Sequence, residues 1–319
     1  MNQMLPEPQP TEPNEHAADS PLAAASTAKA RLAGEKGVWM QATLLPLALI
    51  GVYLVVTGLA LNIYDAVAGT GNSPQGIFDA PLALGFCGLI LCIAEIAVYR
   101  FLVGLFAKRR VSELAVKPAL PETLAGIAVG AVLVSLPMLI LWAGGHWQLA
   151  HVSIEPGVGL GIAMGLVSCV WEELLFRGVM VRLFDRAWGP VWAITMSTVV
   201  FGALHLMNPG MTGMGVIALA LSGGPLLGAA YLWKHRLWFP IGVHFGWNAM
   251  QGSFWGSTVS GTGEQHGLLQ GTFVGPEWIT GGSVGVEGSF LTAIVCLVAT
   301  TLIVLRMRRH PESPDLPQK

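Results

Sequence analysis

The chain has 319 residues, of which 53% are hydrophobic and 11% charged, less than half the charge density of an average soluble domain, about 25%. Its 19 acidic and 17 basic residues nearly cancel, and no nucleic-acid module stands along the chain, so nucleic acid is excluded as a partner. Cys87, Cys92, Cys169 and Cys296 all fall in apolar stretches without zinc or disulfide spacing and read as small buried hydrophobes.

Residues 1–37 are rich in Pro, Glu, Ala, Ser and Thr and lack the basic start and short apolar core of a cleaved signal peptide. Such a composition predicts a disordered cytoplasmic tail. From residue 38 the pattern changes. A bilayer core about 30 Å thick takes about 20 apolar residues in helical form, and eight stretches qualify: 38–63, 81–107, 122–144, 157–184, 189–207, 214–233, 237–257 and 286–306. The fold class expected is therefore all-α, a polytopic membrane protein with about eight transmembrane helices over residues 38–309. A short proline-bearing tail, 310–319, is expected to be disordered.

Lysine and arginine favour the cytoplasmic ends of spans. Lys29, Arg31 and Lys36 precede the first stretch; Lys108, Arg109, Arg110 and Lys117 follow the second; Arg182 and Arg186 follow the fourth; Lys234 and Arg236 the sixth; Arg306, Arg308 and Arg309 the eighth. The alternate connections, 64–80, 145–156, 208–213 and 258–285, contain neither residue. Both termini are thus expected in the cytoplasm, with a bacterial inner membrane as the setting.

An ionisable side chain inside a span costs several kcal/mol unless it faces protein or water, so each one is a functional candidate. The fourth stretch carries Glu172 and Glu173 with Arg177 one turn beyond; Glu173 and Arg177 share a face, while adjacent carboxylates point about 100° apart. The fifth places Phe201 and His205 one turn apart, and the seventh does the same for His244 and Asn248, flanked by Gly242 and Gly246, where another backbone or a substrate can come close. A carboxylate to take a proton from water, an imidazole to carry it and donors for an oxyanion are the parts of an amide hydrolase; no Gly-x-Ser-x-Gly elbow offers a serine instead. Glu95 is expected to pair with Tyr99 or a neighbouring helix.

The motifs Glu-Glu-x-x-x-Arg, Phe-x-x-x-His and His-x-x-x-Asn, in this order on separate apolar stretches, resemble those of the CPBP family, the CAAX-protease and bacteriocin-processing or Abi family of intramembrane proteases. The resemblance covers roughly residues 157–251, the expected protease core. It implies that Glu172 and Glu173 act on water, that Arg177 orders the site, that His205 assists at the water, and that His244 and Asn248 hold the oxyanion. It implies a peptide or membrane-protein substrate, lipidated ones included, met in the bilayer. The cofactor stays open: either none, or a divalent metal such as zinc held by Glu172, His205 and His244. The alternative reading is a non-catalytic scaffold or bacteriocin-immunity-type protein. Counted from the basic ends, Glu172 lies about 10 residues deep, His244 about 8 and His205 nearly 20, which predicts a site nearer the basic half with the fifth helix tilted or short.

Overall fold

A computed structural model describes Leu32 and residues 35–69, 79–263 and 267–309. The rest of the two expected tails, and His266, lie outside the described residues.

The fold is helical, as composition predicts. Helix α1 (Val38–Ala68) runs between Gly37 and Gly69, both at positive φ, where a residue without Cβ turns the chain at little cost. Helix α2 (Pro81–Ala107) starts on proline, whose missing N–H is no loss in a first turn. Helix α3 (Ala119–Ala143) follows, then α4 (Leu160–Glu173), which widens without a break into a π-helical segment (Leu174–Val181) and returns to α form as α5 (Arg182–Trp188). Gly189 at φ 87° and Pro190 reverse the chain into α6 (Pro190–His205). Thr212 caps α7 (Gly213–Lys234), accepting a hydrogen bond from the Gly215 amide at 3.0 Å. Helix α8 (Trp238–Ala249) also ends in a π segment (Met250–Phe254); a short α9 (Glu277–Thr280) precedes α10 (Phe290–Arg309).

Among the described residues, six helices are long and apolar enough to cross a membrane. The other two expected spans are shorter. Helix α6 has 16 residues and α8 has 12 before its π segment, and at 1.5 Å per residue α6 reaches only about 24 Å. These two carry the histidine motifs, and their polar residues and glycines are what shortens the apolar run. The count of about eight therefore holds approximately.

The packing order explains which helices can host a site. Helix α1 packs on α2, α2 on α4, α4 on α8 and α8 on α3, while α6 packs on α7 and α7 on α10. In their most apolar stretches only 11% of residues of α1 are buried, against 61% for the α4–α5 unit and 67% for α7. The outer helices turn Leu47, Leu54, Phe86, Phe101 and Leu302 outward, each at least 61% exposed. A continuous apolar exterior of this kind has lipid as its solvent.

One feature lies outside the all-α reading. Two strands, β1 (Trp147–Val152) and β2 (Leu269–Phe273), pair antiparallel in the connections at one end, with Trp147 opposite Phe273 and a bulge at Leu149/His151. Trp147 is buried edge-on against Trp142 and Trp255, which pins this small sheet to the bundle. Cys87, Cys169 and Cys296 are buried and Cys92 half-buried, all as free thiols.

Candidate active site

Glu172 and Glu173 close α4 at the point where the helix widens, and π segments of this kind recur at functional sites. Glu173 is fully buried and engaged through one oxygen. Its Oε1 accepts hydrogen bonds from Arg177 Nη1 at 2.9 Å and from His244 Nδ1 at 2.9 Å. Arg177 is also fully buried, so it does not reach a membrane surface. Its Nη2 donates to the carbonyl of Gly223 at 3.1 Å, and its guanidinium lies 5.7 and 5.4 Å from the ring centroids of Phe176 and Phe201. Glycine is required beside this point: a Cβ on Gly223 would press on the Phe201 ring, and one on Gly224 would collide with Thr198. The bare backbone of α7 thereby comes close enough to meet the arginine.

His244 and Asn248 face α4 because the opposite face of α8 is given over to close helix contact. A Cβ on Gly242 or Gly246 would run into the backbone of Thr123 or Ile127, and Gly126 and Gly130 of α3 lie as tightly against Phe239, Val243 and Trp247. Two glycine pairs at a spacing of four let the helix backbones touch. The close approach expected at Gly242 and Gly246 is thus made by α3. On the far face, His244 Nε2 stands 4.0 Å from Glu172 Oε2, and Asn248 Nδ2 donates to Ser168 Oγ at 2.9 Å, leaving its second amide hydrogen unused by that bond.

His205 ends α6. Its Nδ1 donates to the Phe201 carbonyl at 2.8 Å and its ring stacks on Phe201 with centroids 4.3 Å apart. Because a carbonyl only accepts, Nδ1 carries the hydrogen, and Nε2 of the neutral ring is an acceptor. The structure brings Glu172, Glu173, Arg177, His244 and Asn248 together, and Phe201 separates His205 from them.

Glu172, His205 and His244 are therefore not gathered into a metal-binding triad. Among the described residues no group of three or more His, Cys, Asp or Glu side chains stands close enough to hold an ion. A buried arginine on Glu173 further fills the electrostatic role a cation would take beside it. These residues do not fit a metal site in this arrangement, and no step is derived through one.

A cavity of about 40 Å³ opens between Phe201, Ser222, His244, Asn248, Ser260 and Glu287, room for a few water molecules. Ser260 and Glu287 belong to the connection that lacks basic residues, so the cavity extends from mid-bundle toward that end and not toward the basic half. His205, deep when counted from the basic side, lies on the same side, near Glu287.

Ser260 and Glu287 in this wall, and Gln251 bonded behind it, escaped the sequence reading. Gln251 is fully buried, accepts from Trp247 Nε1 at 2.7 Å, and donates to the Thr258 carbonyl at 2.5 Å and to Glu287 Oε1 at 3.1 Å. The same Glu287 oxygen accepts from the Ser260 amide. Gln251 was within reach of pattern reading, since it lies seven residues from His244 on one helical face. Glu287 sits just ahead of α10, where an acid has no periodic signal. Glu95 also departs from expectation: it is buried with both oxygens unpartnered among the described residues, because the Tyr99 hydroxyl is directed at Glu113 (2.8 Å) and the Gly178 carbonyl (2.9 Å).

Residues 153–250 match the sequence model of a family described as type II CAAX prenyl endopeptidase Rce1-like. No curated protein and no solved structure matches the chain. The matched stretch contains all three motifs and supports, at the level of the family, a CAAX-protease-like intramembrane endopeptidase. The segment that builds the site is accordingly identified with the CPBP, or CAAX-protease, family that its motifs resemble.

Proposed function

We propose that the protein hydrolyses a peptide bond of a membrane-associated substrate with a water activated by Glu172. One observation carries the choice of Glu172. Glu173 is held through Oε1 by Arg177 and His244, whereas no hydrogen bond engages either oxygen of Glu172 among the described residues, and its Oε2 faces His244 Nε2 across 4.0 Å, a gap that one bridging water spans. The water oxygen attacks the scissile carbonyl carbon as its proton passes to Glu172. The oxyanion receives the second Nδ2 hydrogen of Asn248 and, from the protonated ring, His244 Nε2–H. On collapse the C–N bond breaks and Glu172 returns the proton to the leaving amine. Glu173 and Arg177 hold the imidazole in place, and His205 relays protons along the outer wall beside Glu287.

Residues 157–251 form the proposed protease core, completed by Glu287 from beyond it. The protein is assigned to a bacterial inner membrane with both termini in the cytoplasm, which the gathering of basic side chains at one end supports. A scaffold that kept its polar residues only to join helices would satisfy them. The unpartnered Glu172 Oε2, Glu173 Oε2 and Arg177 Nε favour the enzyme over that reading.

The test is cleavage of a panel of fluorogenic and prenylated peptides by purified wild type, Glu172→Ala and His205→Ala, with and without chelator. Once a cleaved peptide is in hand, a fall of about 10²–10⁴-fold in Glu172→Ala, with wild-type activity surviving chelation, is the expected result. Unchanged activity in Glu172→Ala overturns the assignment, and loss on chelation restored by zinc replaces it with a metal mechanism.

A further inference from the structure

At the end of the bundle remote from Ser260 and Glu287, a second cavity of about 840 Å³ lies open, lined by Arg109, Lys117, Arg182, Arg186, Lys234 and Arg236. Its size is that of a small-ligand site, about 300–1,000 Å³. Four carboxylates answer these six cations: Glu113 and Asp185 in the lining, and Glu35 and Glu122 paired with its arginines. Among the described residues, six against four leaves a positive excess at the cavity. His235, also in the lining, adds none, because burial pushes its pKa below the ordinary value and Asp185 does not restore it.

The surplus has a definite place. Lys117 is exposed, and no hydrogen bond or ion pair engages its ammonium among the described residues. Lys234 lies 3.8 Å from Glu122, a loose contact, with its ammonium 4.9 Å from the Trp233 ring centroid. Arg109 forks onto Glu113 through both terminal nitrogens, and its buried Nε–H, in a loose 3.8 Å contact with Glu35, makes no hydrogen bond. The rim beside Lys117 is apolar: Val116 is 71% and Leu120 69% exposed. A basic cavity with greasy edges matches an anion that carries acyl chains better than a freely soluble one.

We propose that this cavity binds the phosphate group of an anionic membrane lipid headgroup, with the acyl chains leaving past Val116 and Leu120. The site is separate from the one assigned to peptide hydrolysis and stands whether or not that assignment holds. Its phosphate would draw Lys117, Lys234 and the Arg109 Nε–H together, tying the α2–α3 connection to the turn between α7 and α8.

Full-length protein is purified in detergent and equilibrated with phosphatidylcholine and phosphatidylglycerol, and the lipid retained per protein is measured by mass spectrometry. The same is done for Lys117→Gln, Lys234→Gln and, as a charge control at the same end outside the cavity, Arg309→Gln. Phosphatidylglycerol is expected to be retained in preference to phosphatidylcholine, and each lysine variant to weaken that retention about fivefold, the usual effect of one basic residue beside an anionic headgroup. Arg309→Gln is expected to leave it unchanged. Equal retention of the two lipids, or lysine variants that match wild type while keeping its melting temperature, overturns the proposal. Competition arms with inorganic phosphate and with acyl-free glycerophosphoglycerol separate the sources: full displacement by either at millimolar concentration would make the ligand a soluble phosphate and overturn the lipid assignment.

Discussion

The two ends of the molecule handle charge in opposite ways. At the basic end, carboxylates meet arginines in short, repeated pairs: Glu113 on Arg109, Glu122 on Arg236, Glu35 on Arg182 and Arg186. In mid-bundle the same chemical groups are buried and left short of partners, with Glu172 Oε2, Glu173 Oε2 and Arg177 Nε all unbonded among the described residues. A carboxylate held by several guanidinium bonds offsets much of its own desolvation. Groups buried and under-satisfied persist only where the surrounding fold over-determines them, which is what a reaction centre requires.

Removing Arg177 should break this contrast most severely. Arg177→Met strands the Glu173 carboxylate in a dry interior, and a loss of about 3–5 kcal/mol is expected, read as a drop in thermal unfolding temperature in detergent. Replacing both partners, Arg177→Met with Glu173→Leu, should recover much of that stability without recovering cleavage. A double variant that cleaves peptide would show that the pair only holds helices together.

Asn248→Ala sharpens the comparison at lower cost to the fold. Its amide donates to Ser168, and its remaining hydrogen is assigned to the oxyanion, so kcat should fall about 10²–10³-fold with little change in melting temperature. A fall in KM-dependent binding with kcat intact would place Asn248 in substrate contact instead.

Glu287→Gln probes the wall that lies outside the family match. The amide keeps the shape and an acceptor for Gln251 and Ser260 but removes the charge beside His205. About a tenfold loss in kcat, the equivalent of one hydrogen bond's worth of orientation, is expected, together with a displaced pH–rate profile. A merely structural Glu287 would change the melting temperature and leave that profile where it was.

How far the sequence could be read depended on how local each determinant was. Helix α2 begins and ends at the residues expected, because Pro81 and the basic run from Lys108 punctuate an unbroken apolar stretch. Glu173 with Arg177 follows from four-residue spacing on one helix. Determinants that depend on a partner far along the chain were not legible. β1 finds β2 more than 100 residues away, Glu287 joins His244 at one cavity across three helices, and Tyr99 turns to Glu113 and Gly178 and not to the nearer Glu95. Linear counting likewise locates His205 along its own helix but cannot say that part of the cavity wall comes from the other end.

A variant at Glu113 tests the basic end itself. Burial alone would push the Glu113 carboxyl up, but the Arg109 fork bonded to it, with Arg182 behind, holds it below the ordinary carboxylate value. A carboxyl depressed in the folded protein contributes stability that is complete above its unfolded pKa, about 4.3, and is lost as pH falls through the lower folded value. Wild type should therefore lose stability below about pH 4.3, in part through this group. Glu113→Gln should cost about 1.5–3 kcal/mol at neutral pH, the worth of hydrogen bonds to a charged group, and the gap between variant and wild type should close as acid removes the same charge from both. If the gap persisted unchanged into strong acid, Glu113 would be acting through its shape and its bond to Tyr99. The paired charges of this end would then be packing elements, and the contrast with the reaction centre would lie in burial alone.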